Sequence, residues 1–285
     1  MNFRLPEKAL QTILRLGVYV FLALACYLLF GFVLQNLPMA IAAPLLVFCA
    51  AGVSNELAMR IYERRSLVDL GLVWNPSSIR NVLLGMAGGV VAALFVTLGP
   101  VLEGAAEITR VAGQPVDWGA VVVLLVILLF GAMGEELLLR GYGFQVLMAT
   151  LGPFGTILPV SVLFAFLHAG NPHVTLLALV NTGLWGVLLG YAFYRSGDLW
   201  LPIGLHVGWN WVLPLLGANL SGLTMNVTGY TMQWKVASVW SGGEYGPEGG
   251  LATSLVVVLL FAWLALKAPV RRQKPFLLRE QWEDQ

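Results

Sequence analysis

Charged residues are scarce here: only 11% of the 285 positions are Asp, Glu, Lys or Arg, against 58% hydrophobic. A chain so composed cannot clothe a fold in an ordinary polar surface, which excludes a water-soluble globular protein and marks an integral membrane protein. Excess charge of one sign is also missing, and the net charge of +1 gives no sign of a nucleic-acid partner. Cysteine is nearly absent. Cys26 and Cys49 both lie in apolar segments, where a thiol behaves as a small hydrophobe, so no disulfide framework is expected. Repeats of solenoid or propeller length and low-complexity tracts are absent as well.

What the chain has in abundance is apolar segments long enough to cross about 30 Å of hydrocarbon, a distance that takes about 20 residues. Eight are expected, at roughly 14–34, 38–59, 82–102, 118–139, 154–168, 174–194, 199–216 and 251–268. The first has too long an apolar run for a cleaved signal peptide and reads as a retained span. Fourteen of the sixteen Lys and Arg residues fall in the amino-terminal tail, the Arg60 to Arg80 loop, the Arg140 and Arg195 connections and the tail after Lys267. Only Arg110 and Lys235 lie on the other side. Short basic loops stay in the cytoplasm, so both termini are expected there, in a plasma (inner) membrane. The expectation is an all-α single integral membrane domain over 1–285, about eight helices enclosing an intramembrane polar cavity. It would carry a motif region at about 121–216, an extracytoplasmic loop at 217–250 and a basic cytoplasmic tail at 269–285. The tail reads as a solvated stop-transfer cluster, with contact to anionic lipid as the alternative. The aromatic 217–250 loop would cap the bundle or lie at the interface.

Against that background, Gly134-Glu135-Glu136-Leu137-Leu138-Leu139-Arg140 stands out, because it follows the unbroken apolar run from Val121 to Phe130. A charge near the bilayer centre costs from roughly 3 to more than 10 kcal/mol, which makes such residues functional candidates. Glu136 and Arg140 are four apart and can pair on one helical face, whereas Glu135 is rotated by roughly 100° and has no sequence-local cation. A desolvated, unpaired carboxylate suits a group that takes a proton from water and later returns it. The same Glu-to-Arg spacing recurs in Asn55-Glu56-Leu57-Ala58-Met59-Arg60, where a self-neutralised pair at a membrane boundary is expected.

Partners for Glu135 come from a short supply, since the chain has three histidines, His168, His173 and His206. His168 ends Phe164-Ala165-Phe166-Leu167-His168, and His206 and Asn210 are four apart on the seventh segment, so both can face one cavity. His173, beside Pro172 in a turn, reads as a loop residue. A hairpin with its tip at Gly152-Pro153 would bring Glu135 and His168 to one level if the fourth helix continues through Thr150. His206 joins them only if that tip projects into the cytoplasm. Buried Glu and His also make ion or proton relays, so a transporter is the competing class.

Glu135-Glu136-x-x-x-Arg140, Phe164-x-x-x-His168 and His206-x-x-x-Asn210, in this order on separate segments, resemble the three motifs of the CAAX-processing and bacteriocin-processing (CPBP or ABI) intramembrane proteases. The resemblance implies an eight-helix endopeptidase acting on a membrane-associated or lipidated protein or peptide. Carried over, Glu135 is the general base and later acid, His168 holds the water, His206 and Asn210 stabilise the oxyanion, and Glu136, Arg140 and Phe164 support them. It also implies a glutamate-based reaction with no required cofactor. The alternative is zinc on Glu135, His168 and His206, a carboxylate-plus-two-histidine set that can bind that ion. Other intramembrane protease chemistries fit worse. There is no His-Glu-x-x-His, no Gly-x-Ser-Gly, and Asp198 lacks a second intramembrane Asp. A non-catalytic scaffold or immunity protein of the same family is the third possibility.

Overall fold

The computed structural model describes residues 7–279, so the expectations for Arg4 and for 280–285 lie outside the described residues. Nine α-helices are described: α1 (Glu7–Leu34), α2 (Met39–Ala58), α3 (Pro76–Leu102), α4 (Trp118–Arg140), α5 (Tyr142–Leu167), α6 (Leu176–Ser196), α7 (Trp200–Leu215), the single turn α8 (Ser238–Ser241) and α9 (Leu251–Leu266). Each of the eight expected segments falls on one of the longer helices. Five stretches are by themselves long and apolar enough to cross a membrane: Glu7–Leu34, Met39–Glu63, Pro76–Leu102, Trp118–Leu167 and Leu176–Ser196. The fourth of these, 50 residues long, carries two expected segments. The outer faces fit a lipid solvent, as on α1, where Phe21, Leu24, Leu28 and Phe32 all lie exposed.

Polar residues set the helix starts. Asn75 caps α3 by accepting from the Ser77 and Ser78 amides ahead of Pro76 at the first turn, and Thr175 caps α6 by accepting from Ala178. Such caps satisfy amides that the helix itself leaves open.

Glycine decides how closely the helices approach. Gly85 and Gly89 of α3 face Gly204 and Gly208 of α7, and a Cβ on any of the four would sit 2.2 to 2.3 Å from a backbone oxygen of the other helix. This small-residue seam lets two backbones touch where water-driven burial gives no help. It also fixes the helix that carries His206 and Asn210.

Three features depart from the sequence expectations. A two-stranded antiparallel sheet pairs β1 (Ala106–Arg110) with β2 (Tyr230–Trp234), and Thr109 and Thr231 share a hydroxyl hydrogen bond across 122 residues. The all-α expectation is corrected to that extent, and the 217–250 loop caps the bundle partly through this sheet. Two five-residue strands that far apart carry no local signal. The second departure is that α4 does not continue through Thr150. It ends at Arg140, Gly141 is non-helical, and α5 is itself broken at Gly152 (φ 73°). Third, the tail is docked as well as basic. The Gln273 amide donates to the Ser196 carbonyl (2.6 Å), its side chain donates to Asp198 (2.6 Å), and Leu278 is fully buried. Burial pushes the Asp198 carboxyl above its usual range, opposed by hydrogen bonds from Asn81, the Leu201 amide and Gln273.

Candidate active site

The end of α4 is drawn into the bundle by Gly134, where a Cβ would lie 2.6 Å from the Phe48 backbone nitrogen of α2. That close approach takes the next turn out of solvent, and Glu136 and Arg140 are both 0% exposed. Two buried charges are tolerable only when paired and hydrogen-bonded. Arg140 Nη1 lies 3.2 Å from Glu136 Oε1, Nη2 donates to the Gly186 carbonyl of α6 (3.0 Å), and the guanidinium carbon sits 5.1 Å from the centre of the Phe164 ring. The aromatic of the second motif thus stacks beneath the arginine of the first.

Glu135 differs from its neighbour in every one of these respects. Its side chain remains 32% exposed, so water can reach it, and it makes no contact with Arg140 of the kind Glu136 makes. Its Oε2 atom is nevertheless buried without a hydrogen-bond partner. Two imidazoles face that oxygen: His168 Nε2 from the end of α5 at 4.0 Å and His206 Nε2 from α7 at 3.8 Å. The separation between Glu135 and His168 is within water-bridging reach, as the hairpin argument requires. It is reached through two breaks, at Gly141 and Gly152, instead of one.

Hydrogen-bond chemistry fixes which nitrogen carries the proton. His168 Nδ1 lies 2.8 Å from the Phe164 carbonyl and His206 Nδ1 lies 3.0 Å from Glu136 Oε1. Both partners only accept, so both Nδ1 atoms donate and the neutral rings turn an Nε2 lone pair toward Glu135. Three acceptors then meet with no hydrogen among them. A group with hydrogens to donate, such as a water, complements this arrangement. Glu136 therefore does more than pair with Arg140, because it also orients His206. Asn210, half-buried further along α7, has no side-chain hydrogen bond among the described residues and is available to donate to a ligand.

The same three groups were weighed above as a zinc set. Among the described residues, no group of three or more His, Cys, Asp or Glu side chains is disposed to hold a metal ion. No step below is routed through a metal ion. His173 stays apart from the site, in an exposed pair with Glu244 (2.9 Å). Glu56 and Arg60 also stay apart and pair with each other, Glu56 accepting in addition from the Leu67 amide (2.6 Å).

Sequence reasoning missed the groups that hold the end of α4. Asn55 of α2, fully buried, donates from Nδ2 to the Leu137 carbonyl (3.0 Å) and accepts at Oδ1 from the Tyr142 amide (2.6 Å). Tyr19 of α1 donates to the Leu138 carbonyl (3.0 Å), and Gln145 donates to the Arg140 carbonyl (3.2 Å). The available signal was a carboxamide inside an apolar helix, which must find partners when buried.

Residues 117–212 match the family model described as Rce1-like, type II CAAX prenyl endopeptidase Rce1-like. That interval contains every motif residue from Glu135 to Asn210 and supports membership of the CAAX endopeptidase family. No curated protein matches the chain.

Proposed function

We propose, from the match of the segment bearing the site to the CAAX endopeptidase model, that this chain is an intramembrane endopeptidase in which Glu135 activates a water for attack on a peptide bond. The observation that carries the reading is the convergence of His168 Nε2 and His206 Nε2 on Glu135 Oε2, at 4.0 and 3.8 Å, with each Nδ1 already engaged. In this reading the water donates one hydrogen to Glu135 and the other to the lone pair of His168. Glu135 takes the proton as the oxygen attacks the carbonyl, then returns it to the departing amine. The developing oxyanion faces Nε2–H of a charged His206, whose Nδ1–H is held by Glu136, and the carboxamide of Asn210. Donors preset at such a position stabilise the transition state without reorganisation. Arg140 keeps Glu136 ionised and in place, and Phe164 keeps Arg140 from turning away.

Eight spans with both termini in the cytoplasm put Glu135 five residues from the cytoplasmic end of α4 and His206 six residues into α7, roughly 8 to 9 Å deep at 1.5 Å per residue. The site thus opens toward the cytoplasmic side of a plasma (inner) membrane. The substrate class is a membrane-associated or lipidated protein or peptide, and the reaction is metal-independent.

The test is hydrolysis of candidate membrane-associated peptides by purified protein in micelles, with and without a chelator. Cleavage is expected to survive chelation and to be lost in Glu135→Gln with folding retained. A Glu135→Gln protein that cleaves at the wild-type rate overturns the reading, and loss on chelation restores the metal alternative.

A further inference from the structure

In an unbroken helix the Tyr142 amide would donate to the Leu138 carbonyl, four residues back. Here that bond is absent, and two side chains from other helices occupy its ends. The Tyr142 amide donates to Asn55 Oδ1 (2.6 Å), Asn55 Nδ2 donates to the Tyr19 hydroxyl (3.3 Å), and Tyr19 donates to the Leu138 carbonyl (3.0 Å). The missing backbone bond is thus replaced by a relay running from donor to acceptor through α2 and α1. The Leu137 carbonyl (3.0 Å) and the Ala51 carbonyl of its own helix (2.7 Å) also lie around Asn55 Nδ2, so its two hydrogens are shared among three acceptors, the Tyr19 hydroxyl being the most distant of them. Asn55 is 0% and Tyr19 5% exposed, so no water stands ready to substitute.

The relay has a steric counterpart. A Cβ on Gly141 would lie 2.2 Å from both Asn55 Oδ1 and the Leu137 carbonyl oxygen, so only glycine lets the carboxamide in at this point. A carboxamide, in turn, donates to a carbonyl and accepts from an amide in one plane, which an ionised carboxylate cannot do. An ionised aspartate would accept from Tyr142 but bring no hydrogen to the Leu137 carbonyl and would draw the Tyr19 hydroxyl off Leu138, and an alanine would leave the buried Tyr142 amide unpaired and the Leu137 carbonyl with the Gly141 amide alone.

We propose that Asn55, acting with Tyr19, is a positioning device that breaks α4 after Arg140 and thereby sets the register of the Glu135–Arg140 turn against His168 and His206. Both residues lie outside the interval matched by the family model, so they are a contribution of this chain's first two helices to a site whose groups sit on α4, the end of α5 and α7. Neither touches the reacting groups. They act on the backbone at Leu137, Leu138 and Tyr142, which frame the carboxylates one turn away.

Its catalytic consequence rests on the protease reading, so the test has one arm that needs cleavage and one that does not. Asn55→Ala, Asn55→Asp, Tyr19→Phe and, as a neighbour outside the relay, Glu56→Gln are compared with wild type in micelles, after thermal melting establishes that each is folded. In the first arm, Asn55→Ala is expected to lower kcat roughly 10²-fold, the scale of a misplacement of about 1 Å, with KM little changed. Tyr19→Phe is expected to show a smaller fall of the same kind and Glu56→Gln none. Asn55→Asp should recover rate as the pH falls, because a protonated acid regains the lost donor. The second arm is hydrogen–deuterium exchange at the Tyr142 amide, slow in wild type and in Glu56→Gln and accelerated in Asn55→Ala. Unchanged kcat or unchanged Tyr142 exchange in a folded Asn55→Ala protein overturns the proposal, as does a fall that appears in KM alone. If wild type itself cleaves nothing, the protease reading fails, and the exchange result alone decides whether the relay sets the break.

Discussion

The chain contains two Glu-x-x-x-Arg pairs at helix ends with the same spacing and the same order, and they have opposite fates. Glu56 and Arg60 contact each other with 29% and 69% of their side chains exposed, whereas Glu136 and Arg140 pair at 0% and 1%. Glu56 spends its second oxygen on the Leu67 amide and so fastens a loop. Glu136 orients His206, and Arg140 reaches Gly186 on a third helix. Spacing alone therefore makes an ion pair. What turns one of them into part of a polar centre is the absence of water around it, which Gly134 enforces by admitting α2 to within backbone contact of α4.

The largest expected difference between the pairs is in stability. Arg140→Ala leaves a buried carboxylate unmatched and should cost roughly 3–5 kcal/mol, while Arg60→Ala should cost at most about 1 kcal/mol, both read from denaturant unfolding in micelles. Equal costs would erase the distinction. Activity is expected to separate the site carboxylate from the one in the exposed pair just as sharply: Glu135→Gln should lower kcat by roughly 10²–10⁴, and Glu56→Gln should leave the peptide-cleavage rate where it was. Asn210→Ala sharpens the same point from the other helix. It should reduce kcat by roughly 10²–10³ as a lost oxyanion donor with an unchanged unfolding midpoint, because the side chain gives up no partner within the protein. Salt provides the smallest effect. At about 1 M ionic strength, where screening acts over about 3 Å, the stability difference between Arg60→Ala and wild type should vanish while that of Arg140→Ala persists.

Much of this was legible in the residues. Long apolar runs fix where the helices lie, because no other use of 20 such residues is stable in contact with lipid. Helical geometry separates Glu135 from Glu136 and assigns Arg140 to the second of them, since side chains four apart share a face whatever surrounds them. The aromatic at Phe164 and the four-residue step from His206 to Asn210 follow the same rule. The Gly152-Pro153 breaker is also local, and the chain does turn there.

The rest depended on partners far away in the chain. Nothing near Asn55 announces that its carboxamide will meet Leu137 and Tyr142, 82 and 87 residues later, or that Tyr19 will close the relay. The break at Gly141 carries no local signal, because a lone glycine is tolerated in a helix, and only the arrival of Asn55 makes it a terminus. The β1–β2 pairing and the docking of Gln273 on Ser196 and Asp198 are hidden for the same reason. By itself the sequence determined the membrane class, the positions of the helices and which of the two carboxylates is bound to the arginine, because those follow from composition and from contacts within a few residues. Only the tertiary structure decided where α4 stops, which of the two Glu-Arg pairs is sealed from water and which oxygen both histidines face, since each of these is set by atoms that meet only when distant helices pack.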